Sequence, residues 1–146
     1  MVHTEKGADA ENIVRCLMDL GVMPAQLVLC HMDKRPDLAF HRGVARSGVM
    51  LEYDTFFRPK YQPEVSLWPL IEGMASAGLT DCLALALDMV QLEMWKSFGN
   101  SPGLPALLTD VVPRLEAMGL GESHFRGLVG GNIAHRLAGS EASSRS

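Results

Sequence analysis

Three polar residues stand where short apolar runs end: His3, His31 and Asp88. Neutral imidazoles and a carboxylate are the usual ligands of zinc and similar divalent ions. An ion held this way lowers the pKa of a water and polarises a bond under attack. In α/β folds such groups converge at the carboxyl ends of the strands. Spacing alone leaves a structural alternative open, in which each histidine bonds a nearby carbonyl and Asp88 caps a turn.

The elements that must position these residues are legible in the apolar pattern. Leu27 to His31, Val49 to Asp54 and Cys82 to Asp88 are near-continuous apolar runs. Runs of this kind fit strands buried on both faces, as in a parallel sheet. The first few residues count as one more strand. Between the runs lie helical patterns. The first starts after Asp9, carries Ile13, Val14, Leu17 and Leu20 as its apolar stripe, and closes at Gly21 ahead of Pro24. A second opens near Pro36 and closes near Gly48. A third covers about Ser66 to Ala77, with Pro69 confined to its first turn. A long polar loop from Met89 to about Leu104 precedes a helix broken or kinked at Pro113. Asn132 is placed to cap a last short helix. Strand and helix alternate, which implies right-handed crossovers between parallel strands.

Several short stretches carry a family resemblance. His3-Thr4-Glu5 resembles the strand-five motif of the phosphotriesterase family, and Leu29-Cys30-His31-Met32-Asp33 its strand-six motif, with Cys30 in place of the usual glycine. Glu52-Tyr53-Asp54-Thr55 resembles the end of strand seven. Leu85-Ala86-Leu87-Asp88 resembles the strand-eight motif that ends in aspartate. Leu108 to Pro113 and Gly131-Asn132-Ile133-Ala134 resemble the segments that follow, with Ile133 replacing a proline. The resemblance implies an α/β fold: about four β/α units forming the C-terminal half of a (β/α)8 TIM barrel. It assigns residues 1–138 to that partial domain and leaves 139–146 as a disordered polar tail.

The same resemblance implies a metal-dependent hydrolase of phosphotriester, lactone or related ester bonds that works through a metal-activated hydroxide. His3, His31 and Asp88 match the family's metal ligands, and Asp88 also its catalytic proton acceptor. Zinc is the expected ion, two in the complete family site. The family's strand-one His-x-His pair and strand-four bridging residue have no counterpart here, and a whole barrel needs roughly 250 residues. At most one ion, weakly held, and little or no hydrolysis are therefore expected of the isolated chain. Related lactonases use an aromatic residue and an arginine after strand seven. Tyr53, Asp54 and Arg58 would face a substrate pocket if that strand ends at Asp54, and Trp95, in the long loop after Asp88, is a further candidate substrate contact. Asp33 either orients His31 or caps a turn. His41, His124 and His135 are expected on the surface, Trp68 in the core, and the methionines in packing roles.

Bulk properties narrow the partners. The 146 residues are 47% hydrophobic and 21% charged, an ordinary globular composition. A net charge of −4 argues against nucleic acid, which needs clustered Lys and Arg. The apolar runs are too short to span a bilayer, and the first residues carry no apolar signal core, so a cytoplasmic protein is expected. Cys16, Cys30 and Cys82 read as reduced, packed thiols. The alternative to an enzyme is a non-catalytic α/β module, or one that self-associates through open sheet edges.

Overall fold

Each apolar run yields a short strand, and each crossover returns the chain in the same direction. The computed structural model describes the backbone of residues 1–143. Strands β1 (Val2–His3), β2 (Val28–Cys30), β3 (Met50–Tyr53) and β4 (Leu83–Leu85) form one sheet in sequence order. All three pairings are parallel, with Val2 opposite Leu29, Val28 opposite Met50 and Leu51 opposite Leu83. The crossovers are helices α1 (Ala10–Asp19), α2 (Leu38–Arg46) and α3 (Leu67–Ser76).

Alternate residues on a strand point to opposite faces. Leu29, Leu51, Tyr53, Leu83 and Leu85 face the helices and join Val14, Val44, Leu70, Ile71 and Met74 in the main core. Val28, Met50 and Ala84 face the other way and pack with Ile133 in a second, smaller cluster. Burial on both faces is what the near-continuous apolar runs imply.

The helix ends follow local chemistry. Asp37 caps α2 by accepting from the Phe40 amide at 3.0 Å. Gly21 and Gly48 close α1 and α2 in the left-handed region, where a side chain would be strained. Pro69 falls in the first turn of α3, as expected. Asp9 makes no side-chain cap, and its own backbone is left-handed. Only Val14 of the four-residue stripe on α1 is buried; Leu20 is 76% exposed. Cys16 is exposed rather than packed.

After β4 the long loop turns twice, at Leu92–Met94 and Lys96–Phe98. A π-helical segment, Leu107–Val111, runs without a break into α4 (Val112–Ala117), so Pro113 lies within one helical stretch, just past a widened segment, close to the expected kink. Helix α5 (Glu122–Arg126), which the apolar pattern does not announce, precedes α6 (Asn132–Ser143). Asn132 does not cap α6. Its amide donates to the Thr80 and Leu83 carbonyls at 2.9 and 2.8 Å, fastening α6 beneath β4. Arg136 donates to the Ala25 carbonyl at 3.0 Å, fastening the same helix beneath β2. Of the expected disordered tail, residues up to Ser143 have helical backbone, and 144–146 lie outside the described residues. Among the described residues, no helix is long and apolar enough to cross a membrane.

His41 is a correction to the sequence reading: it is fully buried, not on the surface. Its Nε2 donates to the Arg35 carbonyl at 2.8 Å, since a carbonyl can only accept. Its Nδ1 therefore accepts from the Tyr53 hydroxyl at 2.6 Å. Two satisfied ring nitrogens let the neutral imidazole sit in the core. Trp68 is buried as expected, edge-on to Phe56 and under the Arg114 guanidinium.

Burial pushes the His41 pKa from 6.5 down to about 4, against a raising contribution from the Arg35 carbonyl and the Asp37 charge. A histidine whose folded pKa is depressed loses stability as pH falls from its unfolded pKa to its folded one. Thermal unfolding at pH 7 and pH 4.5 should therefore show a loss of up to about 3 kcal/mol from this residue alone. A His41→Gln variant, less stable at pH 7, should lack that component of the difference. Equal pH dependence in the two proteins would assign the acid sensitivity elsewhere.

Candidate metal centre

The site is built where β2, β3 and β4 end. His31 directly follows β2, and its backbone is left-handed at φ 64°. Asp88 lies just past β4 and is also left-handed, at φ 45°. Non-glycine residues in this region are uncommon, and strained residues cluster at functional sites. Asp54 immediately follows β3 and is almost fully buried. One ligand atom from each of His31, Asp54 and Asp88 lies within 4.8 Å of the others.

His31 Nδ1 stands 2.5 Å from Asp54 Oδ2. With the ring nitrogen donating to the carboxylate, Nε2 keeps the lone pair that a divalent ion needs. The His31 amide donates to Glu52 Oε2 at 3.0 Å, which holds the left-handed turn from the strand alongside. Glu52 is 5% exposed, and burial together with the Asp54 charge pushes its pKa up to about 8. Burial likewise raises the Asp54 pKa, opposed by the adjacent His31. Among the described residues, no N–H or hydroxyl donates to the buried Asp54 Oδ1, and a hydrogen bond between the Glu52 and Asp54 carboxyl groups helps raise the Glu52 pKa. A buried carboxylate oxygen without such a donor, beside an imidazole and a second carboxylate, is a donor set that fits a divalent cation. A cation would supply the positive partner that no donor gives Oδ1.

Asp33 does not touch His31. Its Oδ2 accepts from the Asp54 amide at 3.0 Å, the Thr55 amide at 2.8 Å and the Thr55 hydroxyl at 2.6 Å. Burial raises its pKa to about 6 even against these bonds. Asp33 is thus the turn-fixing residue, and Asp54 is the group that orients His31.

The remaining expected site residues divide. His3 is exposed and lies outside the three-residue cluster, but its ring stands edge-on to that of His31 with centroids 4.5 Å apart. Arg58 is at the site: its Nη2 lies 2.7 Å from Asp88 Oδ2 and 2.5 Å from the Asp88 carbonyl. It also lines a cleft of about 990 Å³ between the loops after β3 and β4, with Phe56, Phe57, Lys96 and Thr109. Tyr53 does not face a pocket. It is fully buried on the helix side of the sheet with its hydroxyl on His41, because adjacent strand residues point to opposite faces. Trp95 is half-buried, and its Nε1 donates to the Met89 carbonyl at 3.0 Å, so it organises its own loop.

The sequence model of the phosphotriesterase family matches residues 1–134. The chain belongs to the phosphotriesterase family. A phospho-furanose lactonase from Mycoplasmopsis synoviae is 26% identical over 94% of the chain, which spans 41% of that relative's length. Among solved structures, an amidohydrolase from Mycoplasma synoviae superposes with a TM-score of 0.83 at 26% identity, covering 90% of this chain and 39% of that one. A lactonase from Listeria monocytogenes gives 0.83 at 28% identity, covering 90% and 42%. The phosphotriesterase homology protein from Escherichia coli shares the fold, with a TM-score of 0.84 at 20% identity over 91% and 46%. The four-stranded sheet is therefore part of a phosphotriesterase-family barrel, the part that carries its last four β/α units.

Two substitutions should separate ligand orientation from turn fixing. Asp54→Asn keeps the shape but loses the acceptor charge, and is expected to weaken divalent-metal binding by about 10- to 100-fold with the fold intact. Asp33→Ala strands two buried amides and a hydroxyl, and is expected to cost roughly 2 kcal/mol of stability. Chelator-competition titration reads the first and urea denaturation the second. Unchanged metal affinity in Asp54→Asn would remove Asp54 from the site.

Proposed function

We propose that this chain carries the metal-binding end of a metal-dependent hydrolase of the phosphotriesterase family, acting on phosphotriester, lactone or related ester bonds. The observation that carries it is the convergence of His31, Asp54 and Asp88 within 4.8 Å at the ends of three parallel strands. His31 and Asp88 hold the ion, with zinc the first expectation; the buried Asp54 oxygen joins them or orients His31. His3, beside His31, completes the ligand set expected from its position. A bound divalent ion would supply hydroxide at neutral pH by lowering the pKa of a water, and would polarise the bond under attack.

The chain's own residues have distinct tasks. Asp88 is the carboxylate at the mouth of the site and accepts the proton released as the nucleophile forms. Asp54 holds the His31 ring, and Glu52 holds its backbone. The cleft beside Arg58 is the space for a small ester, with Phe56 and Phe57 as apolar walls. The lactonase names of the 26%-identical relatives favour a lactone among the ester substrates. Three free cysteines suit a reducing, cytoplasmic setting.

A second reading concerns assembly. Among the described residues, no strand pairs with the outer edges of β1 and β4 in the sheet order β1-β2-β3-β4. Unpaired edges are templates for association, so the chain is proposed to pair through them with a second copy.

The function is tested by loading the purified chain with zinc or manganese, counting retained metal, and assaying a generic lactone and an aryl phosphotriester. At most one weakly held ion per chain is expected, with little or no hydrolysis, and any turnover should be lost with a chelator and in His31→Ala. No retained metal and no chelator-sensitive turnover on either substrate would overturn the hydrolase reading. Sedimentation equilibrium decides the second: a monomer across the accessible concentration range would dismiss pairing through the edges.

A further inference from the structure

Arg58 places a permanent positive charge inside the cluster proposed to hold a cation. Its side chain is 12% exposed and that of Asp88 18%, so the pair is largely shielded from water. Nη2 alone makes both contacts, 2.7 Å to Asp88 Oδ2 and 2.5 Å to the Asp88 carbonyl. Nε is buried and has no partner. A guanidinium normally grips a carboxylate with two nitrogens in parallel. This one spends a single nitrogen on the carboxylate and its own backbone, so the pairing leaves donor capacity unused.

We propose that Arg58 is a positioning residue that competes with the metal for Asp88, and so sets how tightly the centre takes a cation. The inference rests on the metal-centre reading above and adds a residue that reading does not use. A divalent ion at Asp88 Oδ2 would stand within contact distance of Nη2, and two cations that close repel strongly where water is scarce. An ion that takes Oδ2 therefore requires the guanidinium to leave it. It has somewhere to go, because Arg58 already lines the cleft between the two loops. The same nitrogen also donates to the carbonyl of Asp88, whose backbone is in the left-handed region.

Removing Arg58 acts at Asp88 Oδ2 in two ways that favour a cation, against the loss of its bond to the Asp88 carbonyl. The competitor for Oδ2 is gone, the local repulsion is gone, and Asp88 is left as a half-buried carboxylate seeking a cation. Arg58→Gln is expected to bind zinc at least tenfold more tightly than the unaltered chain, measured by competition with a chromophoric chelator. Arg58→Lys keeps the charge but presents one compact ammonium, and is expected to fall between the two. The unaltered protein offers a measurement that needs no variant to fold. The Arg58 guanidinium nitrogen resonances, assigned by NMR, should move as zinc is added, with the same saturation point as metal uptake.

The outcomes distinguish this proposal from the reading beneath it. Tighter binding in Arg58→Gln, graded through Arg58→Lys, supports competition. Equal affinity in the three proteins overturns it and leaves the metal centre standing. Zinc uptake that leaves the Arg58 resonances unmoved overturns it likewise. Failure of all three proteins to retain zinc overturns both.

Discussion

One carboxylate oxygen holds the working end of the sheet together. Asp33 Oδ2 receives the Asp54 amide, the Thr55 amide and the Thr55 hydroxyl. It thereby ties the turn after β2 to the end of β3. Asp54 can present its carboxylate to His31 because its own backbone is fixed from the neighbouring turn. Glu52 reaches back across the same gap to hold the His31 amide. The two strands exchange support in both directions, and the imidazole is fixed at both its ring and its backbone. Such reciprocal support is how a site keeps its geometry on strand ends rather than on freely moving loops.

The concentration of acid here has an electrostatic logic. Glu52, Asp54, Asp33 and Asp88 gather at one end of a sheet whose interior is otherwise apolar. Burial first, and then the neighbouring carboxylate charges, raise the pKa of Asp33, Glu52 and Asp54. Among the described residues, the cationic charges near this cluster come from Arg58, paired with Asp88, and from Lys34, which acts on Asp54. A region so rich in desolvated carboxyl groups is held at a cost that an added positive charge would relieve.

How much of this the sequence announced depended on which periodicity was being read. The apolar runs placed three strands to within two or three residues, because continuous burial leaves a continuous apolar signature. The resemblance motifs placed His31 and Asp88 at strand ends, and the structure brings those two together. The strand alternation was the signal left unused. Glu52 and Asp54 are two apart and share a face, while Tyr53 between them must face the helices; reading all of 53, 54 and 58 as one pocket wall ignored that rule. The partnership of His31 with Asp54 spans 23 residues, and that of Arg58 with Asp88 spans 30. Contacts between separate β/α units leave no local mark in composition or spacing. His41 was misplaced for a related reason: its two partners, Arg35 and Tyr53, lie on either side of it in the chain, and only the packed helix brings both to one ring.

The last helix sets the order in which the chain can acquire its structure. Arg136 reaches a carbonyl 111 residues earlier, and Asn132 one 52 residues earlier, and between them they close the underside of the sheet. Contacts of such long sequence separation must be preceded by closing a large loop, which slows folding. During synthesis the strands leave the ribosome well before α6 does. Until then Val28, Met50 and Ala84 lack Ile133, the residue that covers their face. Between the emergence of these strands and that of α6 the nascent chain carries an uncapped apolar surface, an interval in which chaperone capture or premature strand pairing competes with completion of the fold.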